Sequence, residues 1–334
     1  MTEIQKLTST TAQQIPQLVY KVFGYTYSDE VFYSPEALVQ THADGKYISY
    51  LSVDGNGDVQ ALLSLYLDYT PRLARVELLL SDPSLPTVVR ALAVAKIVET
   101  FRKEVPSIRD TRMISGILSM ETTAHSLTQR IVVQTGFVPC GLYLGFLPSG
   151  FWRSGADRQL VSPHLRTSST LSMLWVDKAR KPYRVRVPCT FAEIIKTIYD
   201  ECRLPVSLDL ETPDPRRGSD CELEQVVDVR WSRAVIKLVR VGSNACNALV
   251  EALSHYKRGL IEIMHFFLPI TEMDISDIVE TLLDRGCRFA ALIPGYGPEG
   301  EDVLVLQYLN GVRHDTPKEH LYAPLSRKIF AVVQ

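Results

Sequence analysis

The sequence predicts an α/β (α+β) protein of two halves, each a mixed, mostly antiparallel sheet flanked by helices. Three observations carry this. The run ARVELLLSDPSLPTVVRALAVAKIVETFRKE (74–104) reads as a buried strand, a Pro-marked turn and a long helix, with no glycine at the turn. KYISYLSV and DVQALLSLYL alternate around Asp54-Gly55-Asn56-Gly57, the signature of a hairpin. From Tyr183 the same grammar restarts, and LLDRGCRFAALIPG echoes VVQTGFVPCGLYLGF, with Gly286 in the helix-ending place of Gly136.

The elements follow in order. Helices are expected over 11–22 and 35–43, then the hairpin, a strand over 74–81 and a helix over 86–104. Val76, Leu78, Leu79 and Leu80 supply strand propensity, and Asp82, Pro83, Ser84 and Pro86 break it. A strand near 111–119, a helix over 122–135 ending at Gly136, and a strand over 138–147 come next. The Gly-, Ser- and Pro-rich stretch 148–169 reads as an excursion before a strand over 170–176, and DKARKPY as a linker. The second half opens with strand RVRVP and helix TFAEIIKTIYDEC, capped by Thr190, then a polar loop from Thr212 to Ser219. Strands 223–230 and 233–240, helix 243–257, strand IEIMHFFLP, helix DISDIVETLLDRG, strands RFAALIP and DVLVLQYL, and a C-terminal helix around 320–333 complete it. Only Arg240-Val241-Gly242-Ser243 separates strand from helix there, too little for a phosphate-binding loop. Because each half ends on apolar strands, the halves are expected to depend on one another.

Composition narrows the function classes. A chain of 334 residues is long enough for two domains, placed at 1–178 and 179–334. A formal charge of −2 offers no field for nucleic acid or a membrane surface. The N-terminus lacks a basic-then-apolar leader, and no run reaches the roughly 18 apolar residues of a spanning helix, so a cytoplasmic protein is expected. Six scattered cysteines without C-x-x-C spacing, and histidines without paired spacing, predict no metal.

From about Val19 to Pro148 the chain resembles the GNAT superfamily of N-acetyltransferases, in particular a branch with tandem acetyltransferase-like halves. FGYTYSDEVFYSPEALVQ (Phe23, Gly24, Tyr25, Tyr27, Phe32, Tyr33, Pro35) stands where that branch has an aromatic segment before its second helix. VELLLSDPSLPTVVRAL matches the central strand and following helix, and AHSLTQRIVVQTGFVPCGLYLGFLP matches the later helix end and strand at Gly136-Phe137, Gly141 and Gly145. The resemblance implies a CoA-dependent N-acyltransferase, with acetyl-CoA as donor and a small-molecule or peptide amine as acceptor, by direct transfer. It departs at one place: the family's Gly-x-Gly phosphate cradle is replaced by Pro86-Thr87-Val88-Val89, with Arg90 beyond, which implies a weakened coenzyme site.

On that resemblance Leu79, Leu80, Ser81, Thr87, Val88, Val89 and Arg90 form the donor cradle, and His125 lies near the pantetheine. Glu77 on the central strand is the candidate base, its carboxyl expected to be raised by burial; the alternative is a structural pair with Arg75 or Arg112. The family's usual tyrosine acid is absent, since its position is Val132, and Tyr143 is the substitute, with aromatic core as its alternative. Tyr20, Tyr25, Tyr27, Phe32 and Tyr33 wall an acceptor pocket or pack the opening helices. Two functions stay open: the acyltransferase, and a catalytically degenerate relative that senses a ligand or binds a partner. A homodimer also stays open.

Overall fold

The computed structural model describes residues 3–151, 164–209, 220–270, 275–316 and 320–334. Most of the expected 148–169 excursion and the polar loop 212–219 lie outside the described residues. The chain forms two compact units: 1–119, 149–164 and 175–177 in the first, and 120–148, 165–174 and 178–334 in the second.

The first unit is built on strands β1 (Glu3–Lys6), β2 (Tyr47–Val53), β3 (Val59–Asp68), β4 (Leu73–Ser81) and the start of β5 (Gly116–Thr122), hydrogen-bonded in that order. All pairs are antiparallel except β4 with β5. Helices α1 (Ser9–Ala12), α2 (Ile15–Phe23) and α3 (Pro35–Ala43) open the chain, and α4 (Thr87–Arg112) follows β4. The expected helix 11–22 is thus two helices: Thr8 and Thr11 close a capping box on α1, and Pro16 starts α2 afresh.

Helix α4 runs to Arg112 and contains Pro106, well past the expected end at 104. Its buried residues Ile97, Phe101 and Ile108 recur at helical spacing, so apolar burial on one face carries the chain through the proline and delays β5 to Gly116. Strand β1 was not expected, because its residues give no alternation of burial. It is held by Lys6, which pairs with Glu104 at 2.6 Å and lies 3.4 Å from the Tyr50 ring centroid.

The second unit contains β6 (Val138–Leu147), β7 (Arg166–Trp175, Arg166–Leu174 of it in this unit), β10 (Glu222–Asp228), β11 (Arg233–Arg240), β12 (Ile263–Ile270), β13 (Arg288–Ile293) and β14 (Asp302–Leu309), in the order β7-β6-β13-β14-β12-β11-β10. Strand β15 (His314–Asp315) pairs with β7, and β8 (Tyr183–Arg186) with β9 (Val206–Asp209) forms a small parallel sheet. Helices α5 (Leu127–Gln134), α6 (Ala192–Glu201), α7 (Ala245–Arg258), α8 (Ser276–Leu283) and α9 (Pro324–Val333) accompany them. Thr190 does not cap α6: it lies in the 3-10 turn Cys189–Phe191 that precedes it, and Phe191 at the cap position makes no side-chain bond. Gly136 and Gly286 end α5 and α8 at φ 102° and 89°, as their repeat predicted. Among the described residues no helix is long and apolar enough to cross a membrane.

The units depart from the expected split at 178, and β6 is the reason. Gly141 of β6 pairs with Ala291 of β13, where a Cβ on Gly141 would lie 2.3 Å from the Ala291 Cβ, so only glycine admits the contact. Beyond it Gln307 of β14 replaces strand pairing: Leu144 N–H donates to its Oε1 at 2.9 Å, and its Nε2 donates to Leu142 O at 3.3 Å and Phe289 O at 3.4 Å. Helix α9 covers β6 and β13. Residues 1–178 expressed alone strip β6 of all these partners, exposing Leu142, Leu144 and Phe146. That fragment is expected to aggregate, or to melt well below the full chain in a thermal scan; an unchanged melting temperature would show that β6 needs no neighbour.

Candidate functional site

Glu77 sits at an irregularity of β4. Ser64 pairs with Leu78 and Leu65 with Val76, so Glu77 is the extra residue of a β-bulge. On the other side, the parallel pairing of β4 with β5 ends at Val76 and Ser119. A bulge bends its strand and re-aims a side chain. β4 therefore stays paired with β3 from Leu78 to Ser81 while, among the described residues, no strand covers its opposite edge.

The register says which groups that edge presents. Asp82 N–H donates to Gln60 O at 2.9 Å, so alternate residues Leu80 and Leu78 share the β3 side. The N–H and C=O groups of Leu79 and Ser81 turn the other way, toward the uncovered edge.

The edge leads to the start of α4. Pro86 is the cap residue and makes no side-chain cap, and the first helical bond is Arg90 N–H to Pro86 O at 3.0 Å. Thr87, Val88 and Val89 thus begin the helix with N–H groups that the helix itself cannot satisfy. Val88 is 79% exposed, its side chain in solvent rather than folded into the turn. Arg90 Nε donates to Ser81 Oγ at 3.1 Å, tying the helix start to the strand end. Asp82 accepts from Ser84 N–H at 2.9 Å and from Lys21 Nζ at 2.6 Å. Partial burial works against its charge, but the Lys21 and Ser84 hydrogen bonds prevail and hold the carboxyl below its ordinary range.

Around Glu77 the first unit gathers an aromatic wall. Arg75 Nε and Nη2 both donate to Glu77 Oε1, at 2.8 and 2.5 Å, and its Cζ lies 4.8 Å from the Tyr66 ring centroid. Tyr27 OH donates to Glu77 O at 3.0 Å and lies 3.5 Å from Oε2. Asp29 caps the short 3-10 turn Glu30–Tyr33 through Val31 N–H and accepts from Tyr47 OH. Phe32 joins Tyr27 and Tyr47 edge-on, with ring centroids 5.8 and 5.6 Å away. The Tyr27 hydroxyl is pushed up by burial, then by Glu77 and Asp29; the Tyr47 hydroxyl is pushed up by burial, then by its bond to Asp29. The expected aromatic segment therefore supplies Tyr27 and Phe32 to this wall, while Tyr25 is 77% exposed. The structural alternative for Glu77, an Arg75 pair, is present.

Tyr143 and His125 belong to the second unit. Tyr143 is 6% exposed, its ring 4.5 Å from that of His265 and 5.6 Å from Phe146. Burial pushes its hydroxyl up, and pushes His265 down to about 3, with Arg233 and Arg166 adding to the shift. This is aromatic core, the alternative weighed for Tyr143. His125 Nδ1 accepts from Leu127 N–H at 3.3 Å, which makes it a helix-start residue. Gln129 beside it is buried, donating to Thr122 O and accepting from Tyr322 N–H.

Sequence reading missed two charged groups of the second unit. Asp302, 1% exposed, accepts from Arg180 Nη2 (2.9 Å), Tyr183 OH (2.6 Å), Tyr199 OH (2.7 Å) and Gly295 N–H (2.8 Å). Arg166, 7% exposed, donates to three carbonyl oxygens and pairs with Glu262 at 2.6 Å. Neither carries a sequence signal, because their partners are far apart along the chain. Among the described residues no three His, Cys, Asp or Glu side chains are grouped to hold a metal.

No family model and no curated protein sequence matches the chain. Among solved structures, a ribosomal-protein-S5-alanine acetyltransferase from Vibrio fischeri is similar at TM-score 0.39 and 13% identity, over 54% of this chain and 96% of that one. A ribosomal-protein-S18-alanine N-acetyltransferase from Escherichia coli follows at TM-score 0.38 and 11% identity, over 55% and 99%. A GNAT superfamily phosphinothricin acetyltransferase from Sinorhizobium meliloti, in complex with AcCoA, has TM-score 0.37 and 13% identity, over 55% and 93%. Likenesses of this size carry no argument about what the chain does.

Proposed function

We propose that the chain is a CoA-dependent N-acyltransferase of the GNAT type, using acetyl-CoA as donor and an amine as acceptor. The observation that carries this reading is the bulge at Glu77, where the pairing of β4 with β5 ends and, among the described residues, no strand covers the edge of Leu79 and Ser81. A pantetheine arm, extended and carrying amide groups, suits such an edge as an added strand would. The pyrophosphate suits the N–H groups of Thr87, Val88 and Val89 with the Arg90 guanidinium, as anions suit helix starts. Leu80 lines the same strand from its buried face.

The donor supplies an activated acyl carbonyl. Glu77 takes one proton of the acceptor ammonium, freeing the nitrogen lone pair to form the C–N bond as the C–S bond breaks; the nitrogen then gives up its second proton, through water, to the departing sulfur, and Glu77 releases its own to solvent. Tyr143 and His125 are given no chemical role. The absence of glycine at the turn and the ionised Asp82 beside it make the donor site weak.

A second reading, a degenerate relative that holds a ligand without turning it over, draws support from the same two features. Calorimetry with acetyl-CoA, followed by an acetylation assay on a panel of amines, tests both. Binding is expected at high micromolar to millimolar concentration, as the weakened cradle implies, and Arg90→Ala should weaken it about tenfold, the loss of one charge-assisted hydrogen bond. No heat at millimolar acetyl-CoA sinks the donor cradle; binding without transfer to any amine favours the second reading.

A further inference from the structure

We infer that Arg75 is an internal occupant of the acceptor subsite, standing where a cationic amine must sit, and that the acceptor displaces it. This rests on the acyltransferase reading and names the acceptor's chemistry and the residue that guards it.

The argument is one of charge and shape. Tyr27 OH lies 3.5 Å from Glu77 Oε2 and Tyr47 OH donates to Asp29, so the aromatic wall meets two carboxylates, one of which holds Arg75. Two carboxylates close to aromatic rings favour a cation over a neutral or anionic ligand. Arg75 already shows how a cation is held there. It lies 4.8 Å from the Tyr66 ring centroid and donates twice to Glu77 Oε1. Those are the contacts that a substrate ammonium would need: an aromatic face and a carboxylate.

The occupant is also the more easily removed partner. The Arg75 side chain is 42% exposed and that of Glu77 16%, so Arg75 enters from the rim while Glu77 is seated below. An ion pair open to solvent on one side is weakly held. Its release would free Glu77 Oε1 to accept from the ammonium and then take its proton. Because Arg75 must leave first, neutral amines and amides should not compete, having no charge to exchange for the one they displace.

The test uses the full-length protein without donor, so that it reads the subsite and not turnover. Calorimetry with n-butylamine at pH 7 is expected to show binding, and n-butyramide and butyrate none. Arg75→Ala should tighten n-butylamine at least tenfold and let guanidinium chloride at low millimolar concentration compete with it, whereas Arg75→Lys, which keeps a cation in place, should bind the amine as the parent does. Asp29→Asn should weaken it severalfold. If Arg75→Ala melts at the parent temperature yet binds the amine no better and shows no competition by guanidinium, Arg75 is not an occupant. If Arg75→Ala fails to fold, Arg75→Gln supplies the same comparison. Failure of the acyltransferase reading looks different: amine binding as described with no heat from acetyl-CoA leaves the cation site standing, whereas transfer to neutral acceptors only overturns the cation site and keeps the enzyme.

Discussion

Glu77→Gln is expected to lower kcat for a responsive amine by about 100-fold or more, with acetyl-CoA affinity unchanged, the range ascribed to a positioned general base. The substitution isolates proton transfer well. Glutamine keeps the shape of the side chain and an oxygen for Arg75, so the bulge and the aromatic wall survive. It cannot take a proton from an ammonium. Donor affinity should not move, because the proposed donor contacts lie on the backbone of Leu79 and Ser81 and at the start of α4. Full activity in the variant would reduce Glu77 to the structural partner of Arg75. A fall in donor affinity with kcat unchanged would place Glu77 in the donor site instead.

The largest effect on stability is expected from Asp302→Asn. Asp302 is buried, with the Arg180 guanidinium, two phenols and a backbone N–H converging on one carboxylate. Removing its charge takes from Arg180, whose side chain is 18% exposed, the carboxylate 2.9 Å away. Breaking a buried pair from one side costs about 3–5 kcal/mol, more than the pair itself is worth, because the remaining ion keeps its desolvation penalty. Burial with the Asp302 charge already pushes the Tyr183 and Tyr199 hydroxyls up, so both phenols stay protonated and donate to it. Asparagine offers only one acceptor oxygen to these four donors. A urea melt should shift its midpoint down accordingly, with tyrosine fluorescence as the probe. A midpoint within error of the parent would show that Arg180 finds water or another partner when the carboxylate is gone.

These two residues also mark how far the sequence could be read. Glu77 was legible through the resemblance, which sets a carboxylate on the central strand within VELLL. What the sequence could not show is that Glu77 is the bulged residue, since a bulge is a property of how β4 aligns with β3. Asp302 opens DVLVLQYL and reads as a strand's polar first residue. Its importance comes from Arg180, Tyr183 and Tyr199, more than a hundred positions away. The helix end expected at 104 fell short for the same reason: α4 runs on through Pro106 to Arg112 with Ile108 buried.

By itself, the sequence determined most of the element types, several boundaries such as 35–43 and 138–147, the hairpin at 54–57, and the glycine stops at 136 and 286, because periodicity, propensity and turn chemistry act over a few residues. It also determined that the turn after β4 has no glycine to wrap a phosphate closely. Tertiary structure decided where β4 leaves β5, that Arg75 lies on Glu77 and Tyr66, that Tyr143 is core, and that β6 joins the unit of β13. Each of these depends on which distant segments meet, and that is fixed by total burial and by the pairing of backbone groups, quantities no local window contains.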